Sequence, residues 1–324
     1  MTAAIVKADK SSQNLGPVLE GLTATVRALA LEGAAENTRR AYASDWRTFT
    51  AWCAQGGLEP LPALPAAVAL YVAHLAEAGR KASTITRACA AIASAHHAAG
   101  LSSPTAHENV RQVMKGARRA LGTRPTQKAP VRVDDLRAMV GTLGETLAGQ
   151  RDRALLVVGF AGALRRSELV ALDVADTTET RDGLMITIRR SKTDQEGAGH
   201  EVALPFGSDP ATCPVRTLRA WLEASGITSG PVFRSITRHG VIGDRLTDKS
   251  VAGIVKRTAT RAGLDAARFA GHSLRAGLMT ASAEAGKPLD VIMRQSRHRS
   301  HAVALGYIRR ASAFKENAAA GIGL

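Results

Sequence analysis

His272-Ser273-Leu274-Arg275, followed by His298 and then by Tyr307 nine residues later, is the most informative part of this chain. Two cationic positions precede it in order. Arg165 stands in Gly162-Ala163-Leu164-Arg165-Arg166-Ser167-Glu168-Leu169, and Lys192 in Ser191-Lys192-Thr193-Asp194. The succession is Arg, Lys, His-x-x-Arg, His, Tyr. Each member alone has an ordinary structural explanation: a half-buried tyrosine, a histidine at a helix start, an ion-paired arginine face, a lysine in a polar hairpin. Five motifs in this order are hard to reach by chance.

The set matches what displacement at a phosphodiester requires: a nucleophile, positive charge for the non-bridging oxygens, and a proton for the leaving 5′ oxygen. Arg165 and Arg275 suit the second task, because a guanidinium is always charged and its planar fork donates to two phosphate oxygens at once. Tyr307 is a weak nucleophile, with an ordinary phenol pKa of about 10, so a base or a cationic pocket must favour its ionised form. His272 is the candidate base. His298 is placed to donate to a phosphate oxygen, and Lys192, on a hairpin rim, to protonate the leaving oxygen as general acid. A phosphotyrosyl ester keeps the bond energy, so no ATP is expected. Guanidinium groups supply the positive charge, so no metal or other cofactor is expected either.

Composition points to the same partner. The chain of 324 residues carries a formal net charge of +15, spread along its length, with 45% hydrophobic residues and only 4% aromatics. An excess this large favours a polyanionic partner, with nucleic acid the first candidate. The longest apolar stretch, Ala154 to Leu164, has eleven residues between Arg153 and Arg165, too short to span a bilayer, so no membrane partner is expected. Cys53, Cys89 and Cys213 lack a disulfide or metal-ligand spacing, and Met1 to Asn14 lacks a secretory pattern; both suit a reduced cytoplasmic compartment. Neither Gly159 with Gly162 nor Gly286-Lys287-Pro288 completes a nucleotide-binding fingerprint.

The chain divides on pattern into a disordered arm (1–14), a helical DNA-binding domain (15–121), a linker (122–130) and a catalytic domain with a C-terminal tail (131–324). The first domain shows apolar stripes at helical spacing. These are Leu15, Leu19, Leu22, Val26 and Leu29; then Tyr42, Trp46, Phe49 and Cys53; then Val68, Val72 and Leu75 between Pro65 and Gly79. A fourth helix is capped by Ser83, buries Ile85, Cys89, Ile92 and His96, and ends at Gly100. A fifth, from about Thr105 to Leu121, turns Lys115, Arg118 and Arg119 outward. With Arg39, Arg40 and Arg87 they are the candidate phosphate contacts. The linker loses hydrophobic period and gains prolines and cations, so two basic domains joined this way could close around a duplex as a clamp. In the second domain Leu184 to Arg190 and His200 to Leu204 alternate as paired strands, and helices are expected over 214–224, 249–262, 274–286 and 289–295.

Residues 131–324 resemble the catalytic domain of tyrosine recombinases, the phage integrase family. The segment from Val291 through Tyr307-Ile308-Arg309 is particularly similar to the Cre branch. Asn37-Thr38-Arg39-Arg40-Ala41-Tyr42 matches a frequent opening of that family's core-binding domain. The resemblance implies a mainly α fold with a small antiparallel β-sheet, in a helical core-binding domain and a mixed α/β catalytic domain. It also implies cleavage to a 3′ phosphotyrosine and free 5′ hydroxyl, strand exchange through a Holliday junction, a homo-tetramer on two DNA sites, and a tail packed into a neighbouring protomer. Two departures stand out. Arg166 replaces the usual aliphatic residue after the first arginine, although the motif register favours Arg165. Arg297 replaces the usual glycine before the last histidine, and His301 is a rival to His298, although the spacing to Tyr307 favours His298. The rival functions are a type IB topoisomerase, which would relax supercoiled plasmid without a specific site, and a non-catalytic architectural protein, which would form no covalent complex.

Overall fold

The computed structural model describes residues 36–124, 127–189, 191 and 199–311. The expected arm, the stripe from Leu15 to Leu29, Lys192 and the chain after Ala311 lie outside the described residues. The chain divides into two compact units between residues 126 and 127.

The first unit is helical. Helix α1 (Glu36–Gln55) buries Phe49 and Cys53, with Trp46 and Trp52 flanking that stripe. Helix α2 (Pro65–Glu77) opens on proline, which needs no amide donor in a first turn, and buries Val68, Tyr71, Val72 and Leu75. Helix α3 (Ala82–Ala98) and helix α4 (Glu108–Leu121) complete the bundle, α1 packing on α3 and α2 on α4. Two expected boundaries move. The residue before α3 is Lys81, without a side-chain cap, so Ser83 lies inside the helix and does not cap it. Pro104–Ala106 forms a separate 3₁₀ turn, and α4 starts only at Glu108, where the His107 ring accepts from the Asn109 amide. Buried His96 accepts the Ala63 amide at Nε2 (2.9 Å), which leaves Nδ1 to donate to the Ile92 carbonyl (2.8 Å); it is a satisfied neutral core residue.

The second unit is mixed. Its helices begin with α5 (Val133–Gly141), α6 (Leu147–Ala161) and α7 (Arg166–Ala171). Strands β1 (Thr177–Thr180), β2 (Gly183–Ile188) and β3 (His200–Pro205) form one antiparallel sheet in that order. The expected pairing of β2 with β3 is present, with Leu184 opposite Leu204 and Ile186 opposite Val202. Strand β1, sequence Thr-Thr-Glu-Thr, carries no apolar alternation and was not expected. After α8 (Pro214–Ser225) comes a second unexpected hairpin, β4 (Arg234–Ile236) with β5 (Ile242–Arg245). Then follow α9 (Asp248–Arg261), α10 (Ser273–Glu284), α11 (Leu289–Ser296) and α12 (His301–Ala311).

Helix α6 is the axis of this unit. Residues 154–160 are all buried, as α8 and α10 both pack on the helix. A helix covered on all sides has no polar face and so no stripe to read. Helix α10 is held against Val131, the residue just after the expected linker, whose amide donates to the Ser273 carbonyl (2.9 Å). That approach depends on Gly277: a Cβ there would lie 2.1 Å from the Val131 carbonyl oxygen and 2.7 Å from the Phe160 ring. Gly277→Ala should therefore lower stability by about 1–3 kcal/mol, the usual range for overpacking, despite alanine's better helix propensity. Urea unfolding measures it, and an unchanged midpoint would contradict the close approach.

Candidate active site

The last carbonyls of α6 have no partner within the helix. The chain leaves α6 through Gly162 and Ala163, the latter in the left-handed region at φ 45°. It then reaches Arg165, which precedes α7. Glu168, in the first turn of α7, accepts from the Arg165 amide (2.9 Å) and from Arg165 Nη1 (2.5 Å). This seats the Arg165 side chain over the turn. Arg166 points elsewhere and pairs with Asp248 at the start of α9 (3.1 Å). The two adjacent arginines thus have different partners: Arg165 shares Glu168 with Arg297, while Arg166 is held at the start of α9.

Arg275, on the first turn of α10, is 5% exposed and donates through Nη1 to the Ala163 carbonyl (2.7 Å). Its Nη2 meets His298 Nδ1 at 3.2 Å, and Ser296 Oγ lies 2.8 Å from the same nitrogen. A guanidinium can only donate, so Nδ1 accepts and the ring hydrogen resides on Nε2. Burial, then Arg275, Arg165 and Arg297, push His298 down to about 4, and the imidazole is neutral at neutral pH. Burial and the neighbouring Arg165 and Arg297 pull Arg275 down to about 9, still charged at neutral pH.

Tyr307 lies on α12 beside His298, with ring centroids 6.2 Å apart and planes inclined by 54°. It packs against a small apolar cluster of Met279, Ile292 and Ala304, and lies within electrostatic range of Arg275. His272 is the exposed residue that opens α10, one turn before Arg275. His301, the rival histidine, opens α12 and is exposed. Arg165, Arg275, His298 and Tyr307 are therefore brought together. Lys192 is outside the described residues, but the strand end that leads to it is tied down: Arg189 donates to Asp176 (2.6 Å) and Asp173 (3.0 Å).

Two participants escaped the sequence reading. Glu168 is 3% exposed and carries both Arg165 and Arg297. Burial alone would raise its pKa, yet Arg297 and Arg165 beside it hold the carboxyl below the usual range. The only signals were a glutamate three residues after Arg165 and an arginine at a glycine position. Within this cluster, three guanidinium groups face one carboxylate. The arrangement can receive an anion beside a phenol and a neutral imidazole. Among the described residues, no three His, Cys, Asp or Glu side chains gather as a metal-binding group.

The candidate phosphate contacts lie in the first unit. Arg39, Arg40 and Arg87 are exposed, as are Lys115, Arg118 and Arg119 on α4. Arg40 pairs with Glu36 (3.6 Å) and donates to Asn37 (2.5 Å). Arg87 forms a two-pronged contact with Asp45 (2.7 and 3.1 Å), so its charge is already matched.

Residues 129–313 match the phage integrase family, and residues 26–103 match the phage integrase N-terminal SAM-like domain. An integrase/recombinase XerD homolog of Selenomonas ruminantium is 42% identical over 88% of this chain and 84% of its own length. A tyrosine recombinase of Synechococcus elongatus is 30% identical over 81% of each chain. Among solved structures, a lambda integrase dimer bound to a COC′ core site aligns with TM-score 0.57 at 17% identity, over 89% of this chain and 93% of that one. The Tn1549 transposon integrase in complex with transposon right end DNA aligns with TM-score 0.59 at 14% identity, over 87% and 94%. The structural likenesses carry the fold and the sequence matches carry the kinship: this chain belongs to the phage integrase family of tyrosine recombinases.

Proposed function

We propose that this enzyme cleaves and rejoins double-stranded DNA at specific sites through a 3′ phosphotyrosyl intermediate, without ATP or metal. The observation that carries the reading is the cluster of Arg165, Arg275 and Arg297 around the single carboxylate of Glu168, with His298 and Tyr307 beside it. A phosphodiester oxygen is the complementary charge. Arg165 and Arg275 hold the non-bridging oxygens, and His298 adds the hydrogen on Nε2. The Tyr307 oxygen attacks phosphorus, His272 accepts the phenol proton, and Lys192 protonates the 5′ oxygen as its bond to phosphorus breaks. The ester then returns by the reverse steps to a different 5′ hydroxyl.

In this reading residues 15–121 are the DNA-binding domain, 122–130 the linker of a clamp, and 131–324 the catalytic domain with its tail. Four copies work on two DNA sites through a Holliday junction in the cytoplasm. Among the described residues no helix is long and apolar enough to cross a membrane. A cavity of about 670 Å³, lined by Leu136, Phe160, Met279, Val291 and Ile292 among others, is the proposed seat for a neighbour's tail.

Tyr307→Phe should leave DNA binding intact and abolish the covalent adduct, because only the phenolic oxygen is removed. DNA recovered with this variant and sequenced identifies the site, and denaturing gels with that duplex decide the nucleophile; an adduct that persists moves it elsewhere. Replacing Lys115, Arg118 and Arg119 together should weaken binding and flatten its salt dependence, by nearly one released counterion for each phosphate that is no longer neutralised. A salt slope identical to wild type would place those contacts on other residues.

Lys192→Ala should slow cleavage by about a hundredfold to ten-thousandfold, the usual contribution of a general acid. A bridging sulfur at the 5′ position leaves as a thiolate with little proton assistance, so most of that defect should vanish on the sulfur substrate. Arg275→Ala should stay slow on both. Equal defects for Lys192→Ala on the two substrates would make Lys192 a positioning or DNA-contact residue.

A further inference from the structure

Arg297 takes no step in the chemistry above, yet it occupies an unfavourable backbone position. It closes α11 in the left-handed region, at φ 56° and ψ 41°, where glycine is at ease and a Cβ is not. The side chain is nonetheless an arginine, 9% exposed. Its Nη1 donates to the carbonyls of Gln295 (2.9 Å) and Gly162 (3.2 Å), and its Nη2 to Glu168 (2.8 Å) and the Ala163 carbonyl (3.3 Å). One planar group therefore ties together the turn after α6, the carboxylate that seats Arg165, and the backbone leading into His298. Ala163 accepts from Arg275 as well, so two guanidinium groups share one oxygen.

The charge balance follows from the same contacts. Paired with Arg165 alone, Glu168 would cancel that guanidinium. Shared with Arg297, it is outnumbered, and positive charge remains for a phosphate. His298 is faced by Arg275 from α10, by Arg165 from the turn before α7, by Arg297 from its own segment and by Tyr307 from α12.

We propose that Arg297 is a positioning residue for DNA cleavage, which fixes Arg165, Arg275 and His298 relative to one another and keeps Arg165 from full neutralisation by Glu168. The inference rests on the recombinase reading, and its test separates the two.

Wild type, Arg297→Gly and Arg297→Lys are compared on a nicked duplex carrying the sequence recovered with the Tyr307→Phe protein. At saturating duplex, Arg297→Gly should form the covalent adduct about a hundredfold more slowly, the scale of loss when reacting groups are misplaced by an ångström. Its Kd for the duplex should change far less than that rate, because most of the duplex contact lies outside this cluster. In the DNA-free protein, the NMR titration of His298 should move to higher pH in Arg297→Gly, because a neighbouring cation is gone. Arg297→Lys should keep the titration near wild type but recover little of the rate, since an ammonium cannot span Glu168 and two carbonyls. Wild-type rates in Arg297→Gly overturn the proposal. So does a slow Arg297→Gly whose His298 titration has not moved, which leaves only a brace for the fold. If Arg297→Gly does not unfold cooperatively, Arg297→Lys decides, and a wild-type rate in it overturns the proposal. If wild type forms no adduct, the recombinase reading fails, while the His298 titration still reports on Arg297.

Discussion

The capping of α6 by side chains from the far end of the chain is the interaction on which the site depends. A helix C-terminus presents carbonyls without intrahelical partners and the negative end of the helix dipole. Here the Ala161 carbonyl accepts from Gln295, Gly162 from Arg297, and Ala163 from Arg275 and Arg297. Each contact satisfies a buried acceptor and fixes a cationic or polar side chain in the same stroke. Gln295 also reaches the Ala203 carbonyl on β3, which ties the sheet to the same point. The backbone that leads to Arg165 is thereby locked to helix α10, which carries Arg275, and to the turn after α11, which leads into His298.

That anchor explains how so much like charge is tolerated. Three guanidinium groups near one carboxylate repel one another, and burial removes the water that would screen them. The neutral carbonyls and Glu168 offset part of this, and the remainder appears as the depressed pKa values of Arg275 and Arg297. A bound anion would relieve the repulsion, so the cluster as it stands suits an anionic ligand.

The first unit handles charge differently. Its cations lie on exposed faces of α1, α3 and α4, and several are held by local carboxylates: Arg40 by Glu36, Arg87 by Asp45, Arg111 by Glu108. Such exposed pairs add little stability. Selectivity for one DNA site must come from base contacts and DNA deformability, which charge alone does not encode.

Much of this was legible in the sequence, for physical reasons. Helices α1 to α4 and α8 to α11 each bury one face, so their apolar residues recur at helical spacing, and β2 with β3 alternates as a half-buried pair should. Tyr307, His298, Arg275 and Arg165 could be singled out because the expected chemistry calls for those residue types in that order, and the fold brings the four near one another. What the sequence hid is what long-range contact decides. Helix α6 is covered all round and shows no stripe; β1 is polar and short. Ser83 reads as a cap but lies inside α3. Arg165 and Arg166 are equivalent by composition, and only Glu168 on one side and Asp248 on the other separate them. Arg297 looked like a departure from a glycine position, because its partners at Ala163 and Gly162 lie 134 and 135 residues away. Local pattern can specify which segments bury which face; which donor meets which carbonyl across that distance is settled only when the core closes.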